Sequence, residues 1–118
     1  MAAIALNKFR TIRVAISTSS VGIYTCPIGV ASILILSQVT NVSSGIASVT
    51  AIHARDPDPV SGIISFRFAN NVVVPPNDSV NLVGDGRLAL ETNDVLFING
   101  SENNKLELIL SILETAKQ

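Results

Sequence analysis

Two side chains in this sequence have the types most often used for chemistry. His53 is the sole imidazole and Cys26 the sole thiol. A general base needs a positioned partner, and a reactive thiol needs a nearby cation or a helix N-terminus to lower its pKa. His53 lies in Ile52-His53-Ala54-Arg55 and shares a strand face with Arg55. It reads as a strand histidine at a surface or subunit contact. Cys26 precedes Pro27 with no helix start beside it, so it reads as a buried structural thiol. One His and one Cys cannot build a disulfide framework or a zinc cluster within one chain. Asp56 and Asp58 have the spacing of some calcium-loop ligands, but Pro57 and Pro59 follow them and the required Gly and terminal Glu are missing. A rigid turn is expected there. Gly84-Asp85-Gly86 lacks the context of a phosphate-binding loop and reads as a tight turn that needs positive φ. No catalytic residue, cofactor or metal is expected, and the chain reads as a non-enzyme.

Charge offers a second kind of chemistry. Arg10, Arg13, Arg55 and Arg67 can form a basic patch, but no aromatics interleave with them. Net charge is −1, so a nucleic-acid coat is not expected. Residues 1–70 carry +3 and residues 71–118 carry −4, a division that suits head-to-tail contact between copies. The aromatics are Phe9, Tyr24, Phe66, Phe68 and Phe97. A sugar-binding module needs exposed aromatics, and three of these read as core. Asn41, Asn77 and Asn99 each begin an Asn-x-Ser triplet and read as turn residues.

Strands must position all of these groups. Thr11 to Ser17 alternates, with Ile12, Val14 and Ile16 on one face. Val21 to Cys26 is a short strand ended by Pro27 and Gly29. Val30 to Thr40 is apolar on both faces, Ile33 and Ile35 on one and Leu34 and Leu36 on the other. Such a strand sits in the middle of something. Ile46 to Arg55 is a further strand, and residues 56–59 are expected to leave the ladder because proline cannot donate to it. In Ser61 to Asn70, Ile64, Phe66 and Phe68 are expected to point inward. Short strands over 79–83, 87–90 and 94–98 follow, the last closed by a predicted Asn99-Gly100 hairpin turn. Residues 106–113 fit either a strand (Leu106, Leu108, Leu110, Ile112) or a helical stripe (Leu106, Ile109, Leu110, Leu113). The strand is preferred, because it completes the hairpin and covers Val95 and Phe97. Breaks every 8–14 residues predict an all-β fold, an antiparallel β-sandwich or jelly-roll-like fold of about 8–9 strands. Residues 1–9 read as an N-terminal arm and 10–118 as a single domain.

Composition agrees with a small, greasy β-domain. Of 118 residues, 47% are apolar and only 14% charged, against about 25% charged in an average soluble domain. Mean hydropathy is +0.48. Disorder is excluded, since it needs low hydrophobicity and high net charge. No apolar h-region follows Lys8, Arg10 and Arg13, so no secretory signal is expected. The longest apolar stretch, Ile28 to Leu36, is far short of a spanning helix.

Several stretches together carry a family resemblance. They are Tyr24-Thr25-Cys26-Pro27-Ile28-Gly29, Pro75-Pro76-Asn77-Asp78, Gly86-Arg87-Leu88-Ala89-Leu90-Glu91, Asp94-Val95-Leu96 and Leu110-Ser111-Ile112-Leu113-Glu114. This pattern resembles small β-sandwich virion structural proteins of tailed bacteriophages, especially phages of cyanobacteria. Arg87 stands where that pattern has Lys, and Asn93 where it has Gly; Asn tolerates the left-handed conformation. The stretch 56–60 is not part of the pattern.

The resemblance implies a virion protein, expected on the outer capsid surface as a decoration or cement protein that bridges major capsid subunits. A neck, tail or fibre-attachment part is the alternative, and a carbohydrate-binding module a third reading. Expected partners are the chain itself, as a homo-oligomer such as a trimer, and the major capsid protein or other virion proteins, with no direct nucleic acid and no membrane. The candidate assembly interface comprises Arg10, Arg13, Ile33, Leu34, Ile35, Leu36, His53, Arg55 and Arg67.

Overall fold

The computed structural model describes residues 7–58, 62–84 and 86–116, with the side chains of 56–58 and 62–64 outside that description. Nine strands and no helix occur among the described residues: β1 (Asn7–Ala15), β2 (Val21–Thr25), β3 (Val30–Asn41), β4 (Ala47–Asp58), β5 (Gly62–Val74), β6 (Ser79–Asn81), β7 (Leu88–Leu90), β8 (Asp94–Gly100) and β9 (Leu106–Ala116). The strands β4 and β5 form the innermost antiparallel pair. Around it nest β3 with β6 and β7, then β2 with β8, then β1 with β9. The nested ladders wrap into two sheets, β1-β9-β3-β6 with β7 also on β3, and β2-β8-β4-β5. That wrapping is a jelly roll, so the all-β sandwich expected from sequence is the fold.

The core lies between the sheets. Leu106, Leu108, Leu110 and Ile112 of β9 face Leu96, Ile98, Val49 and Ala51 of the other sheet's strands, all nearly inaccessible to water. The final segment is therefore a strand, as preferred. It does not complete a hairpin with β8, however. β9 pairs with β1 and β3, in the sheet opposite β8. Asn99 and Gly100 belong to β8 itself, and the turn follows them, with Asn104 at φ 63°. The Asn-Gly signal misleads because Gly100 answers a packing need. A Cβ there would lie 2.9 Å from Ile16 Cγ2 and 3.2 Å from Leu106 Cδ1. The chain changes sheets at this point, and the two sheets close up over Gly100.

Other corrections have similar causes. β4 continues through Pro57 to Asp58 by way of a register shift after Arg55, which removes the proline from the ladder without ending the strand. The side-chain geometry of Asp56 and Asp58 lies outside the described residues. β1 begins at Asn7, so residues 7–9 of the expected arm are strand. β6 and β7 are shorter than expected. Phe66 is 71% exposed although its register partner is His53 on the inner face. It lies on β5, an edge strand of its sheet. In β3 a bulge at Ile35 reverses the alternation: Leu34 pairs with Ile112 in the core, whereas Leu36 pairs with Ser111 and joins Ile33 on the outer face. Asn71, Asn77, Asn93 and Asn104 occupy the left-handed region, the side chain's usual exception among non-glycines.

Candidate functional site

Two polar networks are built into one end of the sandwich, where the β2–β3 and β7–β8 turns meet. Asp94 opens β8 on the same inward parity as Leu96 and Ile98, which places a carboxylate in the core layer. Directly opposite on β4 stands Arg55, and His53 sits two residues earlier on the same face. Arg55 Nε donates to Asp94 Oδ1 at 2.8 Å and its terminal nitrogen to Oδ2 at 3.0 Å. The Glu91 backbone N–H donates to Oδ2 at 2.9 Å. His53 Nε2 lies 2.9 Å from Oδ2, and since a carboxylate only accepts, this nitrogen carries the proton. Burial alone would raise the Asp94 pKa; the bonds from Arg55, the Glu91 N–H and His53 outweigh it and hold the carboxyl at about 2. Arg55 also reaches Glu91 at 3.1 Å.

The second network starts from Tyr24, which pairs with Leu96 across β2–β8 and so faces inward. Its hydroxyl donates to Glu114 Oε2, and it shares a 2.8 Å bond with the Ser32 hydroxyl. Burial first, then the Glu114 carboxylate, pushes the Tyr24 pKa above its ordinary value. Arg10 closes the network from β1, with its guanidinium 3.4 Å from Glu114 and 5.9 Å above the Tyr24 ring. Cys26 is fully buried beside it, 3.3 Å from both the Ser32 hydroxyl and the Val30 carbonyl. The two networks meet through backbone: Cys26 N–H donates to the Asp94 carbonyl and Asn93 N–H to the Cys26 carbonyl, both at 2.9 Å.

These groups hold the β2–β3 and β7–β8 turns together. A carboxylate offers about four acceptor positions, and Asp94 has four donors. The polar atoms bonded to the Cys26 thiol are oxygens, not His53. Every buried side-chain N and O among the described residues has a partner. No group of three or more His, Cys, Asp or Glu side chains suited to a metal occurs among them.

The nine interface candidates scatter over the molecule. Leu34 is wholly inside its own core, so it presents no surface. His53 and Arg55 are bound to Asp94, and Arg10 to Glu114. Arg67 is exposed on edge strand β5. Arg13, Ile33 and Leu36 share the outer face of the β1-β9-β3 sheet, with Ile35 at its bulge. Sequence reasoning missed Asp94, Glu114 and Tyr24 as partners. The signal was present: Asp94 continues the inward series 96, 98, and Glu114 the series 106 to 112.

The outer face of this sheet is the unusual surface. Across it runs a row of directly opposed residues, Phe9, Leu113, Ile33 and Ala89, and Ile109 lies opposite Arg13. Phe9 is 74% and Ile109 44% exposed. An antiparallel sheet facing water ordinarily places polar residues there.

The chain matches no family model and no curated protein sequence. Its fold is similar to solved chains at low sequence identity. One, from the T13 particle of infectious bursal disease virus, aligns with a TM-score of 0.58 and 11% identity, over 96% of this chain and 32% of that one. This chain thus spans about a third of that chain's length. A chain of the acid-stable capsid of Helicobacter pylori bacteriophage KHP30 aligns at 0.52 and 10% identity, covering 97% of this chain and 90% of that one. A chain from the disulfide-linked pili that form Bacillus endospore appendages aligns at 0.51 and 13% identity, covering 100% and 98%. The chain therefore shares the jelly-roll fold found in viral capsid proteins and in a pilus protein.

Proposed function

We propose that this chain is a structural protein of a virion, and specifically a decoration protein on the outer surface of a phage head, where it joins capsid subunits and adds no catalysis. The observation that carries the reading is the apolar outer face, the Phe9–Leu113–Ile33 row on a sheet side that water would normally face. A second protein surface laid over it removes that area from water, at about 25 cal/mol per Å². The similarity in length and fold to a chain of a phage capsid supports the same reading, as does the mutual coverage of nine-tenths or more. The finer resemblance, to virion proteins of cyanobacterial phages, and self-association as a homo-oligomer belong to the same proposal. Buried, fully bonded polar networks suit a part whose task is to stay rigid under load.

Counting copies tests it. Quantitative mass spectrometry of purified particles should give hundreds of copies per particle for a head decoration. About a dozen or fewer would move the chain to a neck or tail ring, and its absence from particles would overturn the proposal.

A further inference from the structure

The four sheet edges differ in how they are guarded. β2 is five residues long and its register breaks at Ile23. β5 carries several register shifts along its ladder with β4. The remaining edge of the other sheet is split into β6 and β7. β1 alone, among the described edges, runs nine residues in unbroken register with its neighbour. Bulges and interruptions are how edges avoid pairing with further strands, and β1 lacks them.

The direction of its free backbone groups follows from one bond. Ile16 N–H donates to the Leu106 carbonyl at 3.0 Å, so this pair is hydrogen-bonded. Antiparallel ladders alternate, so Lys8, Arg10, Ile12 and Val14 bond to β9. Phe9, Thr11 and Arg13 therefore aim their N–H and C=O groups at the open edge. The side chains set what can pair there. Arg10 is held by Glu114, which leaves Lys8 and Arg13, both exposed, as cations at the two ends of a six-residue window. β1 contains no acid. Self-pairing would therefore collect cations from both copies in one ribbon, which is unfavourable. Between the cations lie Ile12 and the exposed Phe9 ring.

We propose that β1 is a strand-addition site that takes an extended segment of another protein, one with acidic residues opposite Lys8 and Arg13 and apolar residues opposite Ile12 and Phe9. Main-chain bonds supply affinity in this mode, and flanking side chains supply selection. The cations that bar a second copy favour the acidic strand. The inference stands apart from the virion reading, since it concerns the edge and not the setting.

The test uses the full chain and a capped synthetic peptide, Thr-Glu-Val-Thr-Thr-Val-Glu-Thr, whose central six residues read the same in both directions. Amide hydrogen exchange of the Phe9, Thr11 and Arg13 N–H groups should slow at least tenfold with millimolar peptide. The same peptide with Lys for Glu should leave exchange unchanged. Thr11→Pro, which removes an edge N–H and no β9 bond, should weaken binding at least tenfold. Lys8→Glu with Arg13→Glu should do the same, should the proline variant misfold. No slowing, equal slowing by the lysine peptide, or slowing at β2 or β5 instead would overturn the proposal.

Discussion

Arg55 stands directly opposite Asp94 across the β4–β8 ladder and grips both oxygens of its carboxylate, at 2.8 and 3.0 Å. The pair ties the end of one strand to the start of another where two turns converge. It is asymmetric: the Asp94 side chain is wholly buried and Arg55 half exposed. The carboxylate therefore depends on its donors more than the guanidinium depends on the carboxylate.

Acid should loosen the fold through Asp94. Its pKa is lowered from 3.8 to about 2 in the folded chain, so the stabilisation is present above pH 4 and lost as pH falls from 4 towards 2. The shift corresponds to about 2 kcal/mol. Urea unfolding at pH 7 should place Asp94→Asn about 2–3 kcal/mol below the parent, and the variant should show a flatter acid limb. An unchanged acid limb would contradict the network.

Tyr24 should act at the other end of the pH scale. Its folded pKa is raised, so its contribution is present below the ordinary tyrosine value of 10.0 and declines as pH rises above it. Tyr24→Phe removes the donor to Glu114, leaves that acid and Ser32 under-bonded, and should cost about 1–3 kcal/mol. The alkaline decline should shrink in the variant, as followed by circular dichroism between pH 9 and 11.

Gly100→Ala should be destabilising by about 1–3 kcal/mol, although glycine-to-alanine changes in ordinary strands often help. The new methyl meets Ile16 Cγ2 at 2.9 Å, and Ile16 is buried and branched at Cβ, so it has little room to give. A thermal melt at or above that of the parent would mean the sheets can part there.

Adjacent β3 residues should behave differently. Leu34→Asp puts an unpaired charge into the core and should abolish folding. Ile33→Asp changes the outer face, so the protomer should remain folded while assembly weakens. Circular dichroism reads the first effect and light scattering the second. A folded Leu34→Asp protein would refute the assigned face.

Much of the fold was legible along the chain. Alternation marked most strands and proline and glycine marked the breaks, while residues 106–113 fitted strand and helix alike until pairing with β1 and β3 made them β9. The left-handed turn at Asn93 was legible too, because that preference belongs to the side chain itself. Candidate sites were less legible. His53 and Arg55 were seen as one face, but their partner Asp94 is 39 or more residues away in sequence.

Local sequence carries the strand positions, the left-handed asparagines and the alternation along unbroken strands. Which side of a strand lies inside is a tertiary outcome, because pairing between distant strands sets register and one bulged residue reverses it. The bulge at Ile35 sends Leu36 outward and Ser37 inward, and the sheet exchange at Gly100 turns an apparent hairpin into a crossing between layers. Neither event leaves a mark in the period-two pattern, because each is settled by contacts with residues far away along the chain.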